Sequence, residues 1–209
     1  MRAGAVNAPP QPAIRPGLAL FGTSADPPTA GHRALLAGLA DSYGQVATWA
    51  SDNPFKQHGA SLAQRATLLQ LLVDDLDDPR IRLQQELSSP RALTTLERAE
   101  ELWPGRELVF VVGGDLAVQL PHWYRAEELL RRCRLAVVPR QGFPLQAEAL
   151  AALRQLGREP ELLPLPVPAT ASSAVRARPS REQVPAALWP ELVKHNLYGL
   201  GEPSAGPRR

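Results

Sequence analysis

A chain of 209 residues, 44% apolar and 21% charged, is long enough to bury one sizeable core and has an ordinary globular composition. Its formal net charge is +2, and the one dense basic run is Arg131, Arg132 and Arg134, so no nucleic-acid partner is expected. No apolar stretch approaches the roughly 18 residues a spanning helix needs, which argues against a membrane partner. The lone Cys133 excludes an internal disulfide and suits a cytoplasmic protein.

Residues 1–17 carry four prolines, no acidic residue and no apolar signal-peptide core, and read as a disordered tail. Residues 201–209 read as a second flexible tail, leaving 18–200 as a single domain. Within it, Leu18–Phe21 reads as a buried strand, followed by helical spacing at Leu35, Leu36 and Leu39. Gln45–Ala50 is a second strand. Ser61–Val73 is a helix with Ser61 as its N-cap. A short strand is expected at Ile81–Leu83 and a helix at Thr94–Leu102, stopped by Pro104-Gly105. Glu107–Val112 is the strongest strand signal. Two short helices then break at Pro121, a strand covers Arg134–Val138, and a helix covers Gln146–Leu156. Leu162–Leu165 is a last strand, residues 172–178 a helical turn, and Pro185–Leu197 a closing helix. Parallel strands need crossover helices, so this alternation predicts an α/β fold of the Rossmann-like, doubly wound kind, with a mostly parallel sheet and helices on both faces. Ligands in such folds sit beyond the carboxyl ends of the strands, at the switch point.

The loop after the first strand, Gly22-Thr23-Ser-Ala-Asp26-Pro-Pro-Thr29-Ala-Gly31-His32, should lie there. Gly22 lets the backbone turn closely and Pro27-Pro28 extends it. Thr29 is a candidate N-cap where the free amides and dipole of the next helix favour phosphate. Gly31 leaves room for a nucleotide, and His32 can donate to a phosphate oxygen. Neither a Walker A nor a Gly-x-Gly-x-x-Gly pattern occurs.

Gly22-Thr23, Asp26-Pro27-Pro28 and Thr29-x-Gly31-His32 together resemble the opening motif of the nucleotidyltransferase superfamily, Gly-Thr-Phe-Asp-Pro-Pro-His-x-Gly-His. Ser24-Ala25 stands in place of the usual Phe, and Thr29 in place of the first His. Over roughly residues 18–200 the chain resembles nicotinate-nucleotide adenylyltransferases. Ser51–His58 matches that family's Pro/Asn-rich loop with a basic residue, here Lys56. Val109–Asp115 resembles its strand followed by Gly-x-Asp, and Pro121-His-Trp123-Tyr124 its Pro-x-Trp-Tyr segment. Arg140-Gln-Gly142-Phe-Pro144 resembles Arg-x-Gly-Tyr-Pro, and Thr170-Ala-Ser172-Ser173-Ala-Val175-Arg176 the second superfamily motif, Ile-Ser-Ser-Thr-x-Ile-Arg.

The resemblance implies transfer of the adenylyl group of ATP to nicotinate mononucleotide, giving deamido-NAD and pyrophosphate, with Mg²⁺ accompanying the triphosphate and no dedicated protein metal site. It assigns His32, Thr29, Lys56 and Arg176 to catalysis, and Gly22, Thr23, Gly31, Ser172 and Ser173 to ATP. Asp26, Gly113, Gly114, Asp115, Trp123 and Arg140 fall to the mononucleotide, with Trp123 stacking on the pyridine ring. Pro90-Arg91-Ala92 stands where the family often carries Ser-Tyr-Thr. Two rivals remain open: another nucleotidyltransferase branch with a different phosphate acceptor, and a catalytically silent nucleotide-binding protein on the same fold. A zinc hydrolase using His32, His58 and His122 lacks ligand-like spacing.

Overall fold

A computed structural model describes residues 14–53, 56–139, 147–157, 159–168, 171–178 and 180–200. Its centre is a six-stranded sheet of β1 (Leu18–Thr23), β2 (Val46–Ala50), β3 (Ile81–Leu83), β4 (Leu108–Gly113), β5 (Arg134–Val138) and β6 (Glu161–Leu162). Every pairing is parallel, in the order β3-β2-β1-β4-β5-β6. The order reverses between β1 and β4, and a crevice therefore opens beyond their carboxyl ends.

Both faces of the sheet are covered, so its central strands are apolar on both sides. Ala19, Phe21, Val46, Val109, Val111, Ala136 and Val138 pack on one face beneath α1 (Ala30–Tyr43), α2 (Leu62–Leu76), α7 (Ser172–Ala177) and α8 (Trp189–Lys194). Leu18, Leu20, Ala47, Trp49, Phe110, Val112, Leu135 and Val137 pack on the other. There they meet α3 (Ala92–Leu102), α4 (Gly114–Gln119), α5 (Ala126–Arg132) and α6 (Ala147–Gln155). This is the doubly wound arrangement expected from the alternation of strands and helices. Cys133 is buried in the second layer and donates its Sγ–H to the Leu129 carbonyl at 3.2 Å.

Ser61 caps α2 as its hydroxyl suggested. It accepts from the Gln64 amide at 3.2 Å while the Gln64 side chain accepts from the Ser61 amide at 3.0 Å. Two elements differ from expectation. The last strand is only Glu161–Leu162, because Pro164 and Pro166 remove the amides a longer ladder would need. The closing segment is not one helix: Pro190 sits in the first turn of α8, and short 3₁₀ turns flank it at Ala186–Leu188 and Leu197–Gly199.

At the chain's start, the fold takes in residues ahead of β1. The Arg15 amide donates to the Ser42 carbonyl at 2.8 Å, and Arg134 Nη1 donates to the Pro16 carbonyl at 2.7 Å. Of the tail predicted at 1–17, residues 14–17 are described and the rest is not; the tail predicted at 201–209 also lies outside the described residues. Among the described residues no helix is long and apolar enough to cross a membrane.

Candidate active site

A cleft of about 410 Å³ lies at the switch point, where the carboxyl ends of β1, β4 and β5 meet the start of α1, the loop after β2 and the start of α7. It gathers residues far apart in sequence, among them Thr23, Thr29, His32, Lys56, Asp115 and Arg176. Gly22, Gly31, Gly113, Ser172 and Ser173 also line it.

Gly22 serves this site by what it leaves out. A Cβ there would fall 2.6 Å from the Trp49 indole, which is buried and packed edge-on against Phe110. The residue is therefore needed for the close approach of β1 to an aromatic ring on β2, rather than for a tight turn. We expect Gly22→Ala to cost about 1–3 kcal/mol of stability through overpacking, read as a lower urea midpoint at unchanged slope. A midpoint equal to that of the unaltered protein would show that Trp49 has room to shift.

Thr29 stands at the N-cap of α1 in an extended conformation. Its amide donates to His32 Nδ1 at 3.1 Å, and its hydroxyl lies 2.9 Å from the same nitrogen. A nitrogen that accepts from an amide must carry a lone pair, so the neutral ring holds its proton on Nε2. That Nε2–H is 2.9 Å from Thr23 Oγ1, which also accepts from the Ala25 amide at 3.3 Å. The cap thus fixes both tautomer and orientation of the imidazole, with a donor at the edge of the cleft beside the first-turn amides of a 14-residue helix.

The second motif is stapled directly to the first. Ser172 Oγ donates to the Pro27 carbonyl at 2.9 Å, and Arg176 Nη1 donates to the Asp26 carbonyl at 2.6 Å. Two segments about 150 residues apart therefore form one wall of the cleft. Lys56, from the loop after β2, is exposed and lines the same cleft.

Asp26, which the resemblance assigns to the mononucleotide, lines the cleft with its carboxylate already engaged. The carboxylate is 1% exposed and turned inward, because a buried charge must be paired and hydrogen-bonded. Its Oδ2 accepts from the Gly59 amide at 2.9 Å and lies 3.3 Å from Arg176 Nη1. Its Oδ1 accepts from the Ala60 amide at 3.2 Å and from the Tyr198 hydroxyl at 2.7 Å. His58 Nδ1 stands 3.6 Å from Oδ2. With its lone pairs so occupied, Asp26 braces the cleft wall.

Trp123 is outside the cleft lining. It is half-buried against the second core layer, edge-on to Phe110 with ring centroids 6.4 Å apart. Arg91, ahead of α3, stacks over Tyr124 at 4.6 Å, so the two segments matched to acceptor contacts lie side by side. Asp115 is exposed and lines the cleft, whereas Gly114 is buried in the first turn of α4 and does not. His122 is exposed on a 3₁₀ turn away from it. Arg140, Gly142-Phe143-Pro144 and Thr170 lie outside the described residues.

Two residues that matter here went unpredicted. Arg65, 1% exposed, donates to the Ser24, Ser51 and Ala60 carbonyls at 2.7, 2.9 and 3.3 Å, tying together the loops that line the cleft. Tyr198 reaches Asp26 from the end of the domain. Burial and the adjoining Asp26 push its phenol far above the ordinary value, keeping it a neutral donor.

Comparison with known proteins agrees with this geometry. A family model for cytidylyltransferase-like proteins matches residues 20–178. The chain is 45% identical over 157 residues to a protein of Synechocystis sp. named probable nicotinate-nucleotide adenylyltransferase, covering 70% of this chain and 78% of that one. A protein of the same name from Chlorobaculum tepidum is 32% identical over 195 residues, covering 86% and 97%. Among solved structures, the nicotinic acid mononucleotide adenylyltransferase of Plasmodium falciparum, complexed with NaAD, shares the fold at a TM-score of 0.72. It is 18% identical, with 90% of this chain and 99% of that one covered. Motifs, topology and sequence identity converge: the chain belongs to the cytidylyltransferase-like family and, within it, to the nicotinate-nucleotide adenylyltransferases.

Proposed function

We propose that this chain transfers the adenylyl group of ATP to nicotinate mononucleotide, forming deamido-NAD and releasing pyrophosphate. The observation that carries the reading is the clasp of the α1 N-terminus, with its oriented His32, to the Arg176 segment around one cleft at the switch point. The names of the similar proteins supply the acceptor.

A phosphate oxygen of the mononucleotide attacks the α-phosphorus of ATP in line. The bond from that phosphorus to the bridging oxygen breaks, and pyrophosphate leaves. No side chain is covalently modified; the protein orients the reactants and neutralises charge. His32 Nε2–H and the first-turn amides of α1 meet phosphate oxygens, while Lys56 and Arg176 offset the charge that develops on the leaving pyrophosphate. Thr29 holds the imidazole, and Ser172 and Ser173 border the triphosphate. Magnesium enters with ATP as part of the substrate. Among the described residues the two cleft-lining carboxylates are Asp26, turned inward, and Asp115, a donor set that suits a cation held by phosphate oxygens and water.

The acceptor lies along Gly113, Asp115, Leu116 and Val138, which line the cleft where β4 and β5 end. Trp123 stacks on the pyridine ring by swinging off Phe110 as the acceptor enters. We place the reaction in the cytoplasm, consistent with the lone buried thiol.

Purified protein given ATP or CTP with a panel of phosphate acceptors, with pyrophosphate release followed, tests the assignment. Release is expected with ATP and nicotinate mononucleotide. Release only with another nucleotide or acceptor would move the chain to a different branch. Nucleotide binding with no release on any pair would make it a silent member of the fold.

A further inference from the structure

Beyond the residues that face substrate, the cleft wall contains a short relay that the reaction as described does not use. Its outer end is Tyr198, on the 3₁₀ turn Leu197–Gly199 that follows α8. The backbone of Tyr198 is left-handed, with φ 58° and ψ 24°, a conformation a bulky side chain rarely adopts without compensation. Asn196, two residues before it, and Gly199, just after it, also have positive φ. The compensation is specific. The hydroxyl donates to Asp26 Oδ1 at 2.7 Å, the shortest contact that the carboxylate makes. The ring also packs where a Cβ on Gly59 would sit, 2.7 Å from Tyr198 Cε1 and 3.1 Å from Arg176 Cδ.

Asp26 passes this contact on. With Oδ1 taken by Tyr198 and the Ala60 amide, Oδ2 and the Asp26 carbonyl remain to hold Arg176 Nη1, at 3.3 and 2.6 Å. A guanidinium carries five N–H groups in a fixed plane, so anchoring Nη1 sets the direction of the three on Nε and Nη2. Arg176 is partly exposed and lines the cleft, so those three are the donors an anion there can use.

We infer that Tyr198 is a positioning residue for the triphosphate, acting through Asp26 on the orientation of Arg176. The inference rests on ATP being the nucleotide, as proposed above, but not on the identity of the acceptor. It makes the C-terminal turn part of the nucleotide site although Tyr198 touches no substrate.

The test is titration calorimetry of the full chain with MgATP alone, without acceptor, so that no turnover occurs. Tyr198→Phe keeps the ring against Gly59 and removes one hydroxyl. It is expected to weaken ATP binding about three- to tenfold, as loss of one charge-assisted hydrogen bond in a network does. In an Arg176→Ala background the same change should alter ATP affinity less than about 1.5-fold, because the relay then has no end. A merely structural role would instead weaken binding equally in both backgrounds. Asp26→Asn, which breaks the relay at its centre, is the second variant should Tyr198→Phe not fold, and it too should lose its effect beside Arg176→Ala. Unchanged ATP affinity in Tyr198→Phe, or an equal loss with and without Arg176, overturns the inference. Pyrophosphate release by the unaltered protein judges the adenylyltransferase reading separately, and failure of that protein to bind ATP at all would overturn both.

Discussion

Replacing His32 with alanine is expected to lower turnover by about ten- to a thousandfold while moving the KM for ATP less than about threefold. The ring's Nε2–H is a preoriented donor, and a donor of this kind matters most when charge shifts onto the phosphate oxygens in the transition state. Alanine also removes the acceptor for the Thr29 amide, which should cost about 1 kcal/mol of stability at the start of α1. Two further substitutions separate these effects. Asn places a polar atom where Nδ1 stands, so His32→Asn should keep most of the cap and still lose the rate. Gln places one near Nε2, so His32→Gln should recover part of the rate with the cap broken. Single-turnover rates beside melting curves read both quantities. Near-normal turnover in His32→Ala would remove the imidazole from the chemistry, and rates that follow melting temperature across the series would make it a capping residue alone.

The architecture was legible because its causes are local. Leu108–Val112 is a continuous apolar run of strand length, and such a run is what a central parallel strand covered on both faces requires. Thr29 and Ser61 announce helix starts by side-chain chemistry that works within a few residues. Pro190 carried a local signal too, and placing it at a helix start rather than inside one would have divided the closing segment correctly.

The site was half legible for the same reason. His32, Lys56 and Arg176, assigned to the ligand by their motifs, do reach the cleft. What the sequence hides is which polar groups face inward. Asp26 stands in the opening motif, but its partners come from residues 58–60, 176 and 198, and only folding shows that they use up its oxygens. Trp123 shows the converse: an aromatic residue in a ligand-binding motif rests against Phe110, since both positions reward the same ring. Arg65 did leave a trace. It lies three residues from Leu62 and Leu68 and four from Leu69, on the apolar face of α2, and a lone cation there has to find buried acceptors. In a chain with 21 arginines that position was easily lost in the compositional background.

Arg65 carries the second large effect. Arg65→Met keeps most of the buried volume but leaves the Ser24, Ser51 and Ala60 carbonyls without their donor. Buried acceptors stripped of a charged partner cost about 1–3 kcal/mol each, reduced where water enters. Part of this is returned because the native guanidinium is itself desolvated. Burial lowers its pKa from the ordinary value, with Asp26 working in the other direction. The net expectation is a loss of about 2–4 kcal/mol, or about 4–15 °C in melting temperature for a domain of this size. The loss should also be local, because the three carbonyls belong to the loops after β1 and β2 and to the start of α2. Amide exchange should therefore quicken at residues 51–61, where Gly59 and Ala60 also donate to Asp26, and less in β4 and β5. ATP affinity should fall with it, since Ser24 and Ser51 line the nucleotide cleft. Arg65→Lys should fall between, as an ammonium keeps the charge but cannot reproduce the planar fork that spans three carbonyls. A methionine variant that melts within 2 °C or so of the unaltered protein, with unchanged exchange at those residues, would mean that water replaces the guanidinium without loss. The cleft would then owe its shape to the Asp26 contacts alone.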